Sequence, residues 1–436
     1  MSLSIEQGRD GRGIQNIRTV ADVINNCNLG CHYCHPNFGW TGETLPIPQV
    51  EELFQASEDK GIFEVTLSGG EITMHPDFSR ILEATHMLDK TTMTFVTNAT
   101  KITPNVVSEI RNSNVGRVCV SVDGPDAQTH NRRRGNNFDT VMKGLQDLQE
   151  TDKPITVISV AHADNYSHLL DLSELLASKG LADQHHMCAP SFSGSAKRIY
   201  EQLSLKEPQF YELQGMIDAS YEEFKRRGLY ITFNSFWPAT GKRGQSQDLR
   251  TMTLVQFTEQ VKDIYMIVRP NGDVRLTSAA WGRETVGDAV VGNLNDEEAA
   301  MLFDRVDDIY RSGRVRQLPR TIEAGHKFHV GPYNVDPSQT IELISRKTGE
   351  EDLLQWQPIR KLSEIDLLQN SFDEGNINAL AMQIAAEPKR WRVVNHASGV
   401  DIVYDRQTSH MTLLKADETE KLVQYCDQQY NASHSR

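Results

Sequence analysis

The chain has 436 residues, 38% of them hydrophobic, and a formal net charge of −14 at pH 7. That is room for one large domain with one or two smaller ones, each able to bury a core. The acidic balance argues against general nucleic-acid affinity, no run approaches the ~20 apolar residues of a membrane span, and six cysteines with three clustered are not a disulfide framework.

Residues 1–18 are polar, read as a flexible lead-in, and lack the apolar stretch of a secretory signal, so a reducing, cytoplasmic setting is expected. Thr19 to Ile24 is predicted to be a strand running directly into Cys27, Cys31 and Cys34. Thiolates are the preferred ligands of iron–sulfur clusters, and three close together leave one iron of a cubane for a non-protein ligand. The competing reading is part of a zinc site, which would want a fourth Cys or a well-placed His.

Strand and helix then alternate. Val50, Leu53 and Phe54 mark a helix stopped at Gly61, and Ile62 to Leu67 is a β-branched strand. Phe78, Ile81 and Leu82 mark the next helix, Thr92 to Thr97 a strand, Val106 to Ile110 a helix, and Arg117 to Val122 a strand. Phe138 to Leu145 is helical, Ile155 to Val160 extended, Leu169 to Leu176 helical, and Gln184 to Ala189 a sixth strand. Such alternation predicts an α/β fold of parallel strands with right-handed helical crossovers, whose ligands gather at the carboxyl ends of the strands. The cysteine loop, Ser68-Gly69-Gly70-Glu71, Asn98 and Asp123-Gly124 each follow a different strand, so all are predicted to meet at that end. Arg132-Arg133-Arg134 is either a local basic site or a solvated loop.

Beyond residue 190, Phe210 to Phe224 is predicted to be a long helix, and Tyr265 to Leu276 a hairpin turning at Pro270-Asn271-Gly272-Asp273. Residues 305–360 are charged, with a hairpin suggested around Thr340 to Ile344. From residue 376 a helical stripe, three short strands and a helix from Ala416 read as a small α+β module. It is either a packing appendage or a unit that takes a peptide as an added strand.

The Cys27-x3-Cys31-x2-Cys34 loop, followed by Gly69-Gly70-Glu71, resembles the radical S-adenosylmethionine (SAM) superfamily. Thr97-Asn98-Ala99-Thr100 is similar to a Thr-Asn-Gly-Thr element of that family, with alanine where glycine is usual. Ser121 to Pro125, His130 and Arg134-Gly135 resemble a SAM-contacting segment of its peptide-modifying members, and Gly194 to Lys197 a stretch of peptide maturases. The segment from Tyr265 to Leu294 is similar to a SPASM or twitch scaffold, but cysteine is absent from 189 to 425, so a second cluster has no ligands there.

The resemblance implies a partial (βα)6 radical SAM barrel over 19–235, a degenerate SPASM/twitch-like region over 236–305, a connecting region over 306–370 and the small module over 371–436. It implies one [4Fe–4S] cluster on Cys27, Cys31 and Cys34, and SAM held near Gly69, Gly70, Glu71, Asn98, Ser121 and Arg134, with Tyr33 beside its adenine. Asn165 is a further SAM candidate, or a cap for the helix after it. The substrate implied is a ribosomally made (RiPP) precursor peptide, altered by backbone excision as in spliceases, by epimerisation or by crosslinking. Partners implied are an electron donor such as flavodoxin or ferredoxin and a separate leader-peptide-binding protein, with no nucleic acid or membrane. The alternative is tailoring of a sugar, nucleoside or other small natural product.

Cys188, at the end of strand six, is the candidate hydrogen donor, weighed against structural burial, and His185 or His186 could act as acid or base. Cys119 reads as a buried small hydrophobe and Cys426 as incidental.

Overall fold

The computed structural model describes residues 18–34, 42–62, 64–190, 194–234, 251–253, 264–278, 290–311, 374–387, 390–395, 401–405 and 410–434. The hairpin suggested near Thr340 and the lead-in before Arg18 lie outside these residues. No helix among them is long and apolar enough to cross a membrane.

The protein is a mixed α/β fold around one mostly parallel sheet. Strands β1 (Arg18–Asp22), β2 (Glu64–Ser68), β3 (Thr92–Thr97), β4 (Val115–Ser121), β5 (Ile155–Val160), β6 (Gln184–Cys188) and β7 (Tyr230–Asn234) pair in sequence order, all parallel. The helices α1 (Ile47–Lys60), α2 (Phe78–Ala84), α3 (Pro104–Asn112), α4 (Ala127–Arg134), α5 (Phe138–Leu148), α6 (Leu169–Lys179), α7 (Tyr200–Leu203) and α8 (Glu207–Arg226) lie between them. The seventh parallel strand, β7, has no counterpart in the sequence reading.

On the other side, β1 pairs in parallel with β9 (Ile264–Val268). From there β10 (Asp273–Ser278) and β11 (Val290–Asn293) extend the sheet antiparallel. Within the 236–305 segment, β9, β10 and β11 therefore share the main sheet. Its Met266, Val268 and Val274 share the main core, joined by Leu302 and Phe303 of α9 (Ala299–Arg311). Buried Asp22 at the end of β1 holds Arg269 at 2.8 Å, which fixes the β9–β10 turn beside the start of the cysteine loop.

The strands have unlike faces. Ala21, Val65, Leu67, Met93, Phe95, Val118, Val120, Val157, Met187 and Ile231 pack into the core shared with the helices. The alternate positions are largely polar: Thr66, Thr94, Arg117, Cys119, Thr156, Gln184 and Thr232. Central parallel strands are usually apolar on both sides, so the second face is built to meet something other than core.

The turn after β3 rests on α5. Ala99 sits there at φ +56°, a left-handed conformation usually given to glycine. A Cβ added at Gly144 would lie 2.1 Å from the Ala99 carbonyl oxygen. Gly144→Ala should therefore cost about 1–3 kcal/mol, read as a melting temperature lower by several degrees.

A second sheet has the order β12 (Trp391–Asn395), β13 (Asp401–Asp405), β14 (His410–Leu414) and β8 (Thr251–Thr253). Helices α10 (Glu374–Ala386) and α11 (Ala416–His434) cover it around Ile377, Ala381, Ile384, Val403 and Leu422. Residues far apart in sequence thus complete the C-terminal module, with Cys426 buried in its core.

Candidate active site

The loop leaving β1 and the loop leaving β2 stay paired beyond the strands. Val23 N–H donates to Ser68 O (3.0 Å), Gly70 N–H to Ile24 O (2.7 Å) and Glu71 N–H to Asn26 O (2.8 Å). This ladder carries the chain to the residue before Cys27. It also explains the two glycines. A Cβ on Gly69, at φ +135°, would lie 2.3 Å from Ile24 O, and one on Gly70 would lie 2.0 Å from Asn26 O. The sequence suggested that these glycines admit a ligand; their missing side chains admit the cysteine loop's own backbone.

Glu71 is engaged the same way. Its Oε1 accepts from the Thr73 hydroxyl (2.7 Å), the Thr73 N–H (3.3 Å) and the Thr97 hydroxyl (2.6 Å), and its Oε2 accepts from Asn98 N–H (2.7 Å). Burial raises its pKa, and these donors oppose the rise. The carboxylate ties the β2 loop to the β3 loop, which presents Asn98. The Asn98 Nδ2 donates to Asn28 Oδ1 (3.0 Å) and faces the Cys27 sulfur at 3.8 Å, while Leu29 N–H approaches that sulfur at 3.4 Å.

The other half of the cysteine loop is tied to β4 and α4. His32 N–H donates to Arg133 O (2.9 Å), and Ser195 N–H donates to Cys34 O (3.0 Å). The Tyr33 hydroxyl donates to Asp123 Oδ2, which also accepts from Arg134 Nε (2.7 Å). The Arg134 guanidinium lies 5.3 Å from the Tyr33 ring centroid, and the His162 ring lies 6.0 Å away. Tyr33 is buried in a small apolar cluster with Ala196 and Leu203. Burial raises the Cys31 thiol, and Arg134 beside it works the other way.

Three sequence candidates change character here. Asn165 does not cap the following turn. Its Nδ2 donates to Asp123 O and Val160 O (both 2.9 Å), and its Oδ1 accepts from His162 N–H (2.7 Å), so it clamps β4 to β5. The arginine run is not a basic patch. Arg132 and Arg133 pair with Asp164, and Arg134 with Asp123. His185 is fully buried between the hydroxyls of Ser159 (2.8 Å) and Ser173 (2.7 Å), which removes it from acid–base work.

Burial pushes the His185 pKa down to about 3. The unfolded chain therefore takes up this proton first, and stability falls as pH drops below about 6.5, by up to ~1.4 kcal/mol per pH unit from this one group. Urea unfolding at pH 7 and pH 5.5 should show the loss, and His185→Gln should remove that share of it.

The profile of the radical SAM superfamily matches residues 22–176. This part of the chain is a radical SAM domain. Among curated relatives, a probable GTP 3′,8-cyclase of Pyrococcus horikoshii is 25% identical over 264 residues, covering 56% of this chain and 77% of the relative. The mycofactocin maturase MftC of Mycolicibacterium smegmatis is 29% identical over 177 residues, covering 39% of this chain and 44% of the relative. Among solved structures, SuiB of Streptococcus suis bound to S-adenosylmethionine has a TM-score of 0.55 at 18% identity, with 68% of each chain covered. The likeness to SuiB is one of fold.

Radical SAM domains use a [4Fe–4S] cluster and SAM. The three cysteines fit the cluster. Cys27, Cys31 and Cys34 are outside any disulfide, half-buried, and close enough that each of the other two raises the Cys27 pKa. Burial is the largest cause of that rise, to about 11, so a cation is what would favour the thiolate. Donors already face the Cys27 sulfur.

Two further candidates lie at strand ends on the same rim. Ser121 ends β4, half-buried. Cys188 ends β6, its thiol pointing to Ser159 O (3.6 Å) and pushed up to about 12 by burial and then by Asp123. Cys119 is buried inside β4. Sequence reasoning passed over Asp123 as a chemical group, although it stood in the Ser-Val-Asp-Gly-Pro motif, and it missed His162 and Asp164 altogether.

Proposed function

We propose that this chain is a peptide maturase, using its radical SAM domain to modify a ribosomally made precursor peptide. Cys27, Cys31 and Cys34 hold the cluster, and the Gly69–Gly70 backbone, Asn98, Ser121 and Arg134 surround SAM. Together these groups supply one-electron cleavage of SAM to methionine and a 5′-deoxyadenosyl radical that abstracts hydrogen from carbon. The chain's own residues prepare that event. Leu29 N–H and Asn98 Nδ2 support the Cys27 sulfur, Glu71 holds the two loops in register, and the Tyr33–Ala196–Leu203 packing keeps water from that side of the loop.

The observation that favours a peptide over a nucleoside triphosphate is the pairing of the arginines beside the cysteine loop. A triphosphate is held by several fixed cations; Arg133 and Arg134 are held in ion pairs with Asp164 and Asp123, and only Arg132, which shares Asp164, is largely exposed. The polar sheet face, which also carries Arg117, adds neutral groups. The Thr156 hydroxyl donates to Gln184 Oε1 (3.2 Å), and the Thr232 hydroxyl meets Gln184 Nε2 (3.3 Å) and His186 Nδ1 (2.8 Å). Hydroxyl and amide groups both donate and accept, as peptide bonds require. The likeness in fold to SuiB, also solved with the precursor peptide SuiA, points the same way.

The test is anaerobic reconstitution with SAM and a one-electron donor such as flavodoxin, then co-expression with a precursor peptide and a leader-binding protein. Formation of 5′-deoxyadenosine with loss of a fragment from the peptide marks splicing, loss of two hydrogens a crosslink, and deuterium uptake from solvent without other mass change epimerisation. An unaltered peptide together with conversion of GTP would overturn the peptide reading and leave the nucleotide one.

A further inference from the structure

We propose that Asp123 is a positioning residue for the cluster: its buried carboxylate sets the Cys31–Cys34 half of the cysteine loop through Tyr33 and Arg134. The proposal rests on Cys27, Cys31 and Cys34 holding a [4Fe–4S] cluster.

Every polar atom of Asp123 is engaged, and the residue is 0% exposed. Oδ2 accepts from the Tyr33 hydroxyl and from Arg134 Nε (2.7 Å). Oδ1 accepts from Val160 N–H (2.9 Å), which anchors the carboxylate to the end of β5. Its backbone N–H donates to His130 Nδ1 (3.1 Å), whose Nε2 meets Asn137 Oδ1 (2.9 Å). Its backbone carbonyl accepts from Asn165 Nδ2 (2.9 Å). One residue thus joins the ends of β4 and β5 to Tyr33 of the cysteine loop and to Arg134 beside it.

Both intermediaries belong to or flank the cysteine loop. Tyr33 lies between Cys31 and Cys34 in sequence and donates its hydroxyl to Asp123, so the hydroxyl is held inward. Arg134 is buried, forms its ion pair with Asp123, and lies 5.3 Å from the Tyr33 ring centroid. A buried guanidinium needs a fixed counter-charge to stay in place, and Asp123 is that charge. The Gly70 ladder fixes the Cys27 end from β2, and Asp123 fixes the other end from β4. Groups that orient metal ligands without touching the metal typically change metal affinity by about 10–100-fold when removed.

The experiment follows iron release to a chelator from the reconstituted protein, without turnover. Asp123→Asn keeps the shape and removes the charge. Tyr33→Phe keeps the ring and removes one hydrogen bond. Glu58→Gln is the control: Glu58 is another buried carboxylate, accepting from the N–H groups of Asp89, Lys90 and Thr91 (3.0–3.2 Å) at the opposite end of the strands. Iron release should be about tenfold or more faster in Asp123→Asn, and about threefold faster in Tyr33→Phe. Glu58→Gln should lower the melting temperature and leave release at the wild-type rate. Wild-type release from Asp123→Asn, or equal acceleration in Glu58→Gln, overturns the proposal. Should Asp123→Asn not fold, Tyr33→Phe decides, and a wild-type rate there overturns it. A wild-type protein that takes up no iron overturns the cluster reading itself, which separates the two failures.

Discussion

Gly70→Ala should cripple cluster loading although residue 70 bears no ligand. Its new Cβ would stand 2.0 Å from Asn26 O and 2.4 Å from Asn26 C. Both are backbone atoms, so no side-chain rotation relieves the contact. The two loops must separate, breaking the Gly70 N–Ile24 O and Glu71 N–Asn26 O bonds that deliver Cys27. Overpacking of this kind costs about 3 kcal/mol or more, and in a domain of this size that is roughly 6–12 °C of melting temperature. Iron per chain after anaerobic reconstitution should fall to less than about half of wild type. A Gly70→Ala protein with wild-type melting and full iron would show that the paired loops do not govern the site.

Replacing Cys27, Cys31 or Cys34 singly by Ala should have the largest effect on activity. Each change should reduce iron from about four per chain to near none, and 5′-deoxyadenosine formation should vanish with it. Cys119→Ala and Cys426→Ala should keep their iron, since those thiols are buried in β4 and in the C-terminal module. Cys188→Ala should also keep its iron and still form 5′-deoxyadenosine. Loss of solvent-derived hydrogen from the product in that variant would identify Cys188 as the hydrogen donor, and an unchanged product would leave it a structural thiol. Measuring iron, 5′-deoxyadenosine and product separately distinguishes ligand, donor and bystander.

The contrast between Gly70 and Cys27 shows what a sequence carries. Cysteine spacing is local: three thiols within eight residues stay near one another whatever the fold around them. The glycine pair was visible too, but its partner was not. Nothing in Gly69-Gly70-Glu71 indicates that the atoms filling the space are Ile24 O and Asn26 O, because that contact exists only after β1 and β2 pair. Glu71 is similar. A carboxylate beside glycines looks available for a ligand, and only the arrival of Thr97 and Asn98 from β3 shows its oxygens engaged. The arginine run looked like a surface feature because its neutralising carboxylates, Asp123 and Asp164, belong to other elements.

The sequence by itself determined the strand–helix alternation, the parallel order of the first six strands, the cysteine trio and the rim on which the motifs meet. These follow from periodicity and chain connectivity, which act over a few to a few tens of residues. Tertiary structure decided the seventh strand, the joining of β9 to β1, and the insertion of β8 into the C-terminal sheet. It also decided which polar groups hold the site in place and which remain for a ligand. Hydrogen bonds and ion pairs between distant residues settle that matter, because burial makes each polar atom find a partner and the partner is set by packing rather than by proximity in the chain.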